Sequence, residues 1–213
     1  MTHVQPWAWG ALFLLGAWHG INPAMGWLFA VALGLQKQSS RAVWQSLFPI
    51  ATGHLLSIGI VVAAALLVGA SISMHYARFV VAALLLLFGL FRLLWGKHPR
   101  WGGMQVGFRD LTIWSLLTAS AHGAGFMLLP ILLGMSAMQG SHEMHTPPLS
   151  GPWAGFLAVA IHTFAYLLVT GAVAWIVYAK VGLAVLRHAW FNVDRIWAIS
   201  LIVTAGFTLS LPS

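Results

Sequence analysis

The chain has 213 residues, 60% of them hydrophobic and 6% charged, with a mean hydropathy of +0.88 and a formal net charge of +7. Soluble domains carry roughly 25% charged residues, so this composition excludes a soluble globular domain and points to an all-α, polytopic membrane protein in a lipid bilayer. Cysteine is absent, which excludes disulfides, thiolate ligands and dithiol redox chemistry, and the ten Lys and Arg are scattered between apolar runs rather than gathered in a patch, which argues against a nucleic-acid partner.

The N-terminal segment, MTHVQPWAW, has no Lys or Arg and is followed by no small-residue cleavage site. It therefore reads as the start of a retained helix rather than a removable signal. The first apolar run covers residues 7 to 35. As one helix it would measure about 43 Å at 1.5 Å per residue, well beyond a hydrocarbon core of roughly 30 Å. Its middle reads GAWHGINPAMGW. Pro23 cannot donate to a helix but suits the first position of a new one, and Asn22 is a good cap immediately before it. The first span is thus expected to be two half-helices that part at residues 20 to 23, with His19 on the last turn before the break. Irregular backbone at that depth is tolerated only where it is packed in protein or lines a polar cavity.

The second run covers residues 47 to 70 and holds PIATGHLLSIGIVV, which brings His54; the third covers 77 to 95. The fourth, 111 to 135, holds LLTASAHGAGF, where Gly123, Gly125 and Pro130 predict a second weak point beside His122. The fourth loop, GMSAMQGSHEMHTPPLSG, reads as a polar surface loop, with capture of a metal ion by His142, Glu143, Met144 and His145 as its functional alternative. Its HEMH is one residue short of the zinc-protease H-E-x-x-H. The fifth run, 153 to 178, holds AVAIHTFAYLLVTG with His162, and the sixth covers 196 to 211. Trp7, Trp44, Tyr76, Trp95, Trp114, Trp153 and Tyr178 lie near run ends, where interfacial anchors are expected.

Six spans fix the orientation through charge. Lys37 and Arg41, then Lys97, Arg100 and Arg109, then Lys180, Arg187 and Arg195 fall in the first, third and fifth connections, and Arg92 can snorkel to the same side. Only Arg78 belongs to the other side. The basic connections are expected inside and both termini outside the cytoplasm, as in a bacterial inner-membrane protein.

His19-Gly20 and His122-Gly123 sit near the middle of the first and fourth runs, and each following run adds a histidine, His54 or His162. The chain therefore reads as a single transmembrane domain over residues 1–213, built from one three-helix unit over 1–96 and a second over 109–213. An odd number of spans per unit turns the second unit upside down, which makes an inverted repeat with broken first and fourth helices. Ionisable groups inside a membrane are costly and point to function. Neutral imidazole is a common ligand for Ni, Co, Zn and Cu, so His19, His54, His122 and His162 form a candidate metal site. Asn22 would complete the polar lining. Met25 and Met127, near the two breaks, can add soft ligands for Cu(I) or serve only as packing. The alternative for each histidine is a side chain satisfied by neighbouring helices beside a proline kink.

The stretch GAWHGINPAMG followed by PIATGHLLSIGIVV resembles the nickel/cobalt transporters and urease-accessory membrane proteins of the LysE-type transporter superfamily. Their broken first helix carries His-Ala/Gly-x-Asp-Pro-Asp-His and their next helix a Gly-His. The resemblance covers about 50 residues. It puts His19, Asn22 and Pro23 in the places of the first His, the Asp and the Pro, and His54 in that of the Gly-His. Asn22, Ala24 and Met25 stand where that element has Asp, Asp and His, so its acidic ligands are missing. The resemblance implies inverted three-helix repeats. Relatives that move reducing equivalents need a cysteine in each broken span, and this chain has none.

The expected function is that of a transporter rather than an enzyme, with a transition-metal cation as cargo and alternating access about the repeat interface. A variant keeps the architecture and carries a small anion or zwitterion at the half-helix end. Two further classes are a membrane redox protein holding haem or copper through paired histidines, with haem the less preferred cofactor, and a non-catalytic subunit of a larger membrane complex. A homo-oligomer fits any of these.

Overall fold

The computed structural model describes residues 6–69, 74–95, 107–139, 152–181 and 186–210. Every described element is helical. The helices are α1 (Pro6–Ile21), α2 (Trp27–Gln36), α3 (Ser40–Gly69), α4 (Met74–Trp95), α5 (Phe108–Ala121), α6 (Ala124–Gln139), α7 (Pro152–Ile176) and α8 (Leu186–Ser210). A short 3₁₀ turn, Pro23–Met25, separates α1 from α2, and a π turn, Val177–Val181, extends α7. The proposed capture loop, with His142, Glu143 and His145, lies outside the described residues.

Backbone in lipid must satisfy itself, which is why the described parts of the apolar runs are helical apart from two breaks. Ser40–Ala65, His75–Leu94 and Gly155–Lys180 are each long and apolar enough to cross a membrane. Phe108–Ala121 and Ala124–Leu133 pass as a pair bent by 54°, while Trp27–Gln36 and Arg195–Ser210 are apolar but shorter. Three helices, or four with the bent pair, therefore suit a lipid environment. Their outer faces agree: Phe48, Leu67, Leu94 and Trp153 are all exposed, positions that would meet acyl chains.

The first break forms where the sequence placed it. The residue before a proline avoids helical backbone, and Asn22 is extended at φ −68° and ψ 120°. Its side-chain oxygen accepts the Ala24 N–H at 3.0 Å. One detail differs from the expectation: Asn22 and Pro23 open only the 3₁₀ turn, and α2 starts later, after Gly26. Gly26 has φ +148°, a conformation that a side chain would strain. The second break falls at His122–Gly123, where Gly123 takes the left-handed φ of +68° that often ends a helix. Gly125 and Pro130, also expected to weaken this span, lie inside α6; Pro130 is in its second turn, where only one backbone bond is lost.

Further differences concern charge. α8 begins ten residues before the sixth apolar run and takes in Arg187 and Arg195, which the sequence reading puts in the fifth connection. Helix continues there because the segment holds neither Pro nor Gly. His75 and His188 lie on the first turns of α4 and α8. Arg92 does not snorkel; it is buried.

The packing has a simple plan. α1 lies along α7, α5 along α3 and α4 along α8, with α3 also meeting α7. Small residues permit these approaches, as is usual where lipid offers no hydrophobic drive between helices. A Cβ at Gly20 would come within 2.7 Å of the Tyr166 carbonyl oxygen, so α1 can lie this close to α7 only with glycine there. Gly53 does the same for α3 against Ser115 and Leu116 of α5, and Gly89 for α4 against Ala198 and Leu201 of α8.

Candidate functional site

His19 projects from the last turn of α1 and is fully buried. Its Nδ1–H donates to the Leu15 carbonyl one turn back, at 2.7 Å. A carbonyl can only accept, so the proton sits on Nδ1 and the lone pair on Nε2. That Nε2 has no hydrogen-bond partner among the described residues.

The close contact of α1 and α7 brings His162 against it, with ring centroids 4.8 Å apart at 76°. His54, from the middle of α3, lies 5.9 Å from His19 and 5.6 Å from His162. Both are fully buried. Neither ring nitrogen of His54 or of His162 has a partner of full hydrogen-bond geometry among the described residues, although the Leu12 carbonyl stands close to His162. Three imidazoles from three helices thus meet beside the first break. Asn22, three residues after His19, is buried, and its Nδ2 is also unsatisfied among the described residues.

Buried polar atoms without partners are uncommon, because each costs about 1–3 kcal/mol. A cluster of them therefore asks for partners, which buried water or a ligand can supply. A shared ion about 2 Å from each imidazole nitrogen places the ring centroids roughly 5–5.5 Å apart, and the three observed separations of 4.8, 5.6 and 5.9 Å bracket that range. Their aim is different: among the described residues no three His, Asp or Glu side chains already converge their donor atoms on one point. Rotation about χ2 re-aims an imidazole with little movement of its centroid.

Trp197 of α8 connects this cluster to His122. Its ring centroid is 4.7 Å from His19 and 5.9 Å from His122, and its other neighbour, Trp18, stacks on it at 6.2 Å. The indole N–H donates to the His122 carbonyl at 2.6 Å, which satisfies an acceptor freed by the break. Trp27 does the same at the first break, donating to Ile21 O at 2.8 Å. His122 repeats the His19 arrangement: its Nδ1–H donates to Thr118 O one turn back, at 2.6 Å. Its Nε2 differs, since it accepts from the Arg92 guanidinium at 3.2 Å. His19, His54 and His162 are therefore brought into one ring cluster, and His122 is joined to it through Trp197 while bonded to Arg92.

Met25 and Met127 are both buried. The Met25 carbonyl accepts the hydroxyl of Tyr166, whose ring stacks on His54 with centroids 3.7 Å apart. Tyr166 and Trp197 were not singled out from the sequence. A signal existed for Tyr166, which lies four residues after His162 and so shares its helix face. None existed for Trp197, whose role depends on how α8 meets the two breaks. Arg92 looked like an end-of-span charge because it lies three residues from the end of α4.

Comparison of the chain with protein-family profiles, curated proteins and solved structures gives no match.

Proposed function

We propose that the chain is a six-span membrane transporter of two inverted three-helix units, carrying a transition-metal cation through a chamber formed by His19, His54 and His162, with Asn22 and His122 completing its lining. The observation that carries this reading is the convergence of three buried imidazoles, with unsatisfied nitrogens, at a helix break. Such breaks at mid-membrane are where transporters of this plan hold their cargo. Support for the inverted units comes from the packing. Exchanging α1/α2 with α5/α6, α3 with α7 and α4 with α8 turns the α1–α7 contact into the α5–α3 contact and leaves the α4–α8 contact unchanged. The matched Nδ1–H bonds of His19 and His122 follow the same exchange. The relation to the LysE-type superfamily is part of the proposal, as is the placement of both termini outside the cytoplasm. Cation movement would then follow from rocking of the two units about the chamber.

Liposomes that contain the purified protein and an encapsulated metal-responsive dye test this reading. His19→Ala, His54→Ala and His162→Ala are each expected to lower the rate of metal entry about tenfold or more, while His75→Ala, at an exposed position on α4, leaves it unchanged. Equal rates in all four variants, each checked for insertion and monodispersity, would overturn the proposal.

A further inference from the structure

We infer that Tyr166 gates the chamber: its hydroxyl latches α7 to the first break and closes the histidine cluster on the side of the α2–α3 connection. This rests on the transporter reading and adds a moving part to it.

Tyr166 is fully buried. It lies one turn after His162 on α7 and so shares that face of the helix. Its hydroxyl donates to the Met25 carbonyl, and the hydroxyls of Ser115 and Thr170 stand beside it. Its ring stacks on His54, with centroids 3.7 Å apart and planes at 13°. One side chain of the second unit therefore holds both the break and a cluster ring of the first.

Tyr166 completes a closed layer. Ile50 lies one turn before His54 on α3, and its carbonyl accepts the Ser115 hydroxyl at 2.6 Å. A Cβ on Gly26 would come within 2.5 Å of Ile50 and 2.8 Å of the Tyr166 oxygen. Gly26, Ile50, Ser115 and Tyr166 thus meet. Each is offset from the histidine of its own segment toward the end of α2, the start of α3, the start of α5 or the end of α7. These four ends lie together: Phe48 meets Phe108, Trp44 meets Trp175, and Gly34 packs on Val43 and Tyr178. The layer therefore stands between the cluster and the α2–α3 connection.

The other side of the cluster is closed differently. Exchange of the two units carries Ile50, Ser115 and Tyr166 onto Ala158, Leu12 and Ile58. These are fully buried too, but their side chains hold no hydrogen-bonding group. Opening past them needs only side-chain movement. Opening past Tyr166 needs a hydrogen bond to be broken where water cannot readily replace it, and an unpaired carbonyl there is costly. The chamber is latched on one side and merely packed on the other.

The test uses the full chain in sealed vesicles, with Ser57→Cys as its sole thiol, since the native chain has no cysteine. Ser57 is buried three residues past His54, beyond the latch for a reagent that arrives from the α2–α3 side. A small membrane-impermeant methanethiosulfonate is added from either face; the α2–α3 face is the one from which Ser39→Cys reacts. Tyr166→Phe keeps a ring to stack on His54 and removes the latch. It is expected to speed labelling of Ser57→Cys about tenfold from the α2–α3 face, the factor that one buried hydrogen bond commands, and to leave the rate from the other face unchanged. Ser115→Ala, which frees the Ile50 carbonyl, should act in the same direction and carries the test if the Tyr166→Phe protein does not fold. Unchanged labelling, or an equal rise from both faces, overturns the gate. No metal enters this measurement, so the two readings separate. Metal entry that needs His19, His54 and His162, with labelling unchanged, leaves the transporter without this gate. One-sided labelling in a protein that moves no metal overturns the cation transporter and keeps the latch.

Discussion

At the scale of single residues, the histidines differ in what occupies their outer nitrogen. His19 and His122 are held by the same device, an Nδ1–H to the carbonyl one turn back. This fixes the tautomer and presents Nε2 as a lone pair, the orientation in which a metal ligand is held by its second contact. At His19 that nitrogen is buried and has no partner among the described residues; at His122 it receives Arg92. A guanidinium is a cation, and it repels a second cation placed in the cluster. Arg92→Gln is therefore expected to strengthen binding of the transition-metal cation several-fold, because it removes that repulsion and loosens the grip on His122 Nε2. The same substitution is expected to cost about 1–3 kcal/mol of stability through loss of a charge-assisted bond in a buried place. A competition titration of the variant against the parent reads the first effect, and unfolding in detergent reads the second. Weakened binding, to the level of the His19→Ala variant, would instead mean that Arg92 holds an anionic group of the cargo.

At the scale of elements, the two breaks decide the site, and they break for different local reasons. The first was legible because Asn-Pro forbids helix at Asn22 and supplies a cap in the same step. The second rests on Gly123 alone, and the sequence offered Gly125 and Pro130 as equal candidates; only the packing of α6 against α3 and α4 selects among them. Matched positions in matched runs pointed to a set of four, His19, His54, His122 and His162; the rings of His19, His54 and His162 meet, while His122 is held by Arg92. The pairing of Arg92 with His122, and the place of Trp197 between His122 and His19, were not legible, because both depend on how α4 and α8 turn about one another, which no local pattern encodes. A stability difference follows from the two glycines. Alanine at Gly26 would adopt φ +148° and bring its Cβ to 2.5 Å from Ile50. Alanine at Gly123 would adopt φ +68°, a left-handed value open to other residues at modest cost, with its nearest neighbour, a terminal atom of Leu201, at 3.1 Å. Gly123→Ala is expected to cost about 1–2 kcal/mol. Gly26→Ala is expected to cost more, about 3 kcal/mol or beyond, from strain and overpacking together. Thermal unfolding of the two variants in the same detergent gives the order, and a Gly26→Ala protein as stable as the parent would show that the first break is not held by this backbone geometry.

At the scale of the whole molecule, inversion and the crossing of every broken helix stand or fall together. The α5–α6 pair, with its bend of 54°, can either traverse the membrane or dip in and return. Only traversal gives each half three spans, and only an odd number sets the halves upside down. The proposed arrangement puts the connection after α2 inside, because it carries Lys37 and Arg41. The position that corresponds to it in the second half is the connection after α6, which has no Lys or Arg between Met135 and Trp153. The chain has no cysteine, so a single introduced thiol reports alone. With Ser39→Cys after α2 and Ser141→Cys after α6, a membrane-impermeant maleimide added to intact cells is expected to label Ser141→Cys and not Ser39→Cys. In inside-out vesicles the reactivities should exchange. Ser210→Cys at the end of α8 should follow Ser141→Cys, since both lie outside in the six-span arrangement. If Ser39→Cys and Ser141→Cys react from the same face, α5 and α6 form a re-entrant hairpin and the halves are not inverted. His122 would then enter the chamber from the same face as the α2–α3 connection. Alternating access by rocking of equivalent units would lose its basis, while the cluster of His19, His54 and His162, set by the contacts of α1, α3 and α7, would keep its geometry.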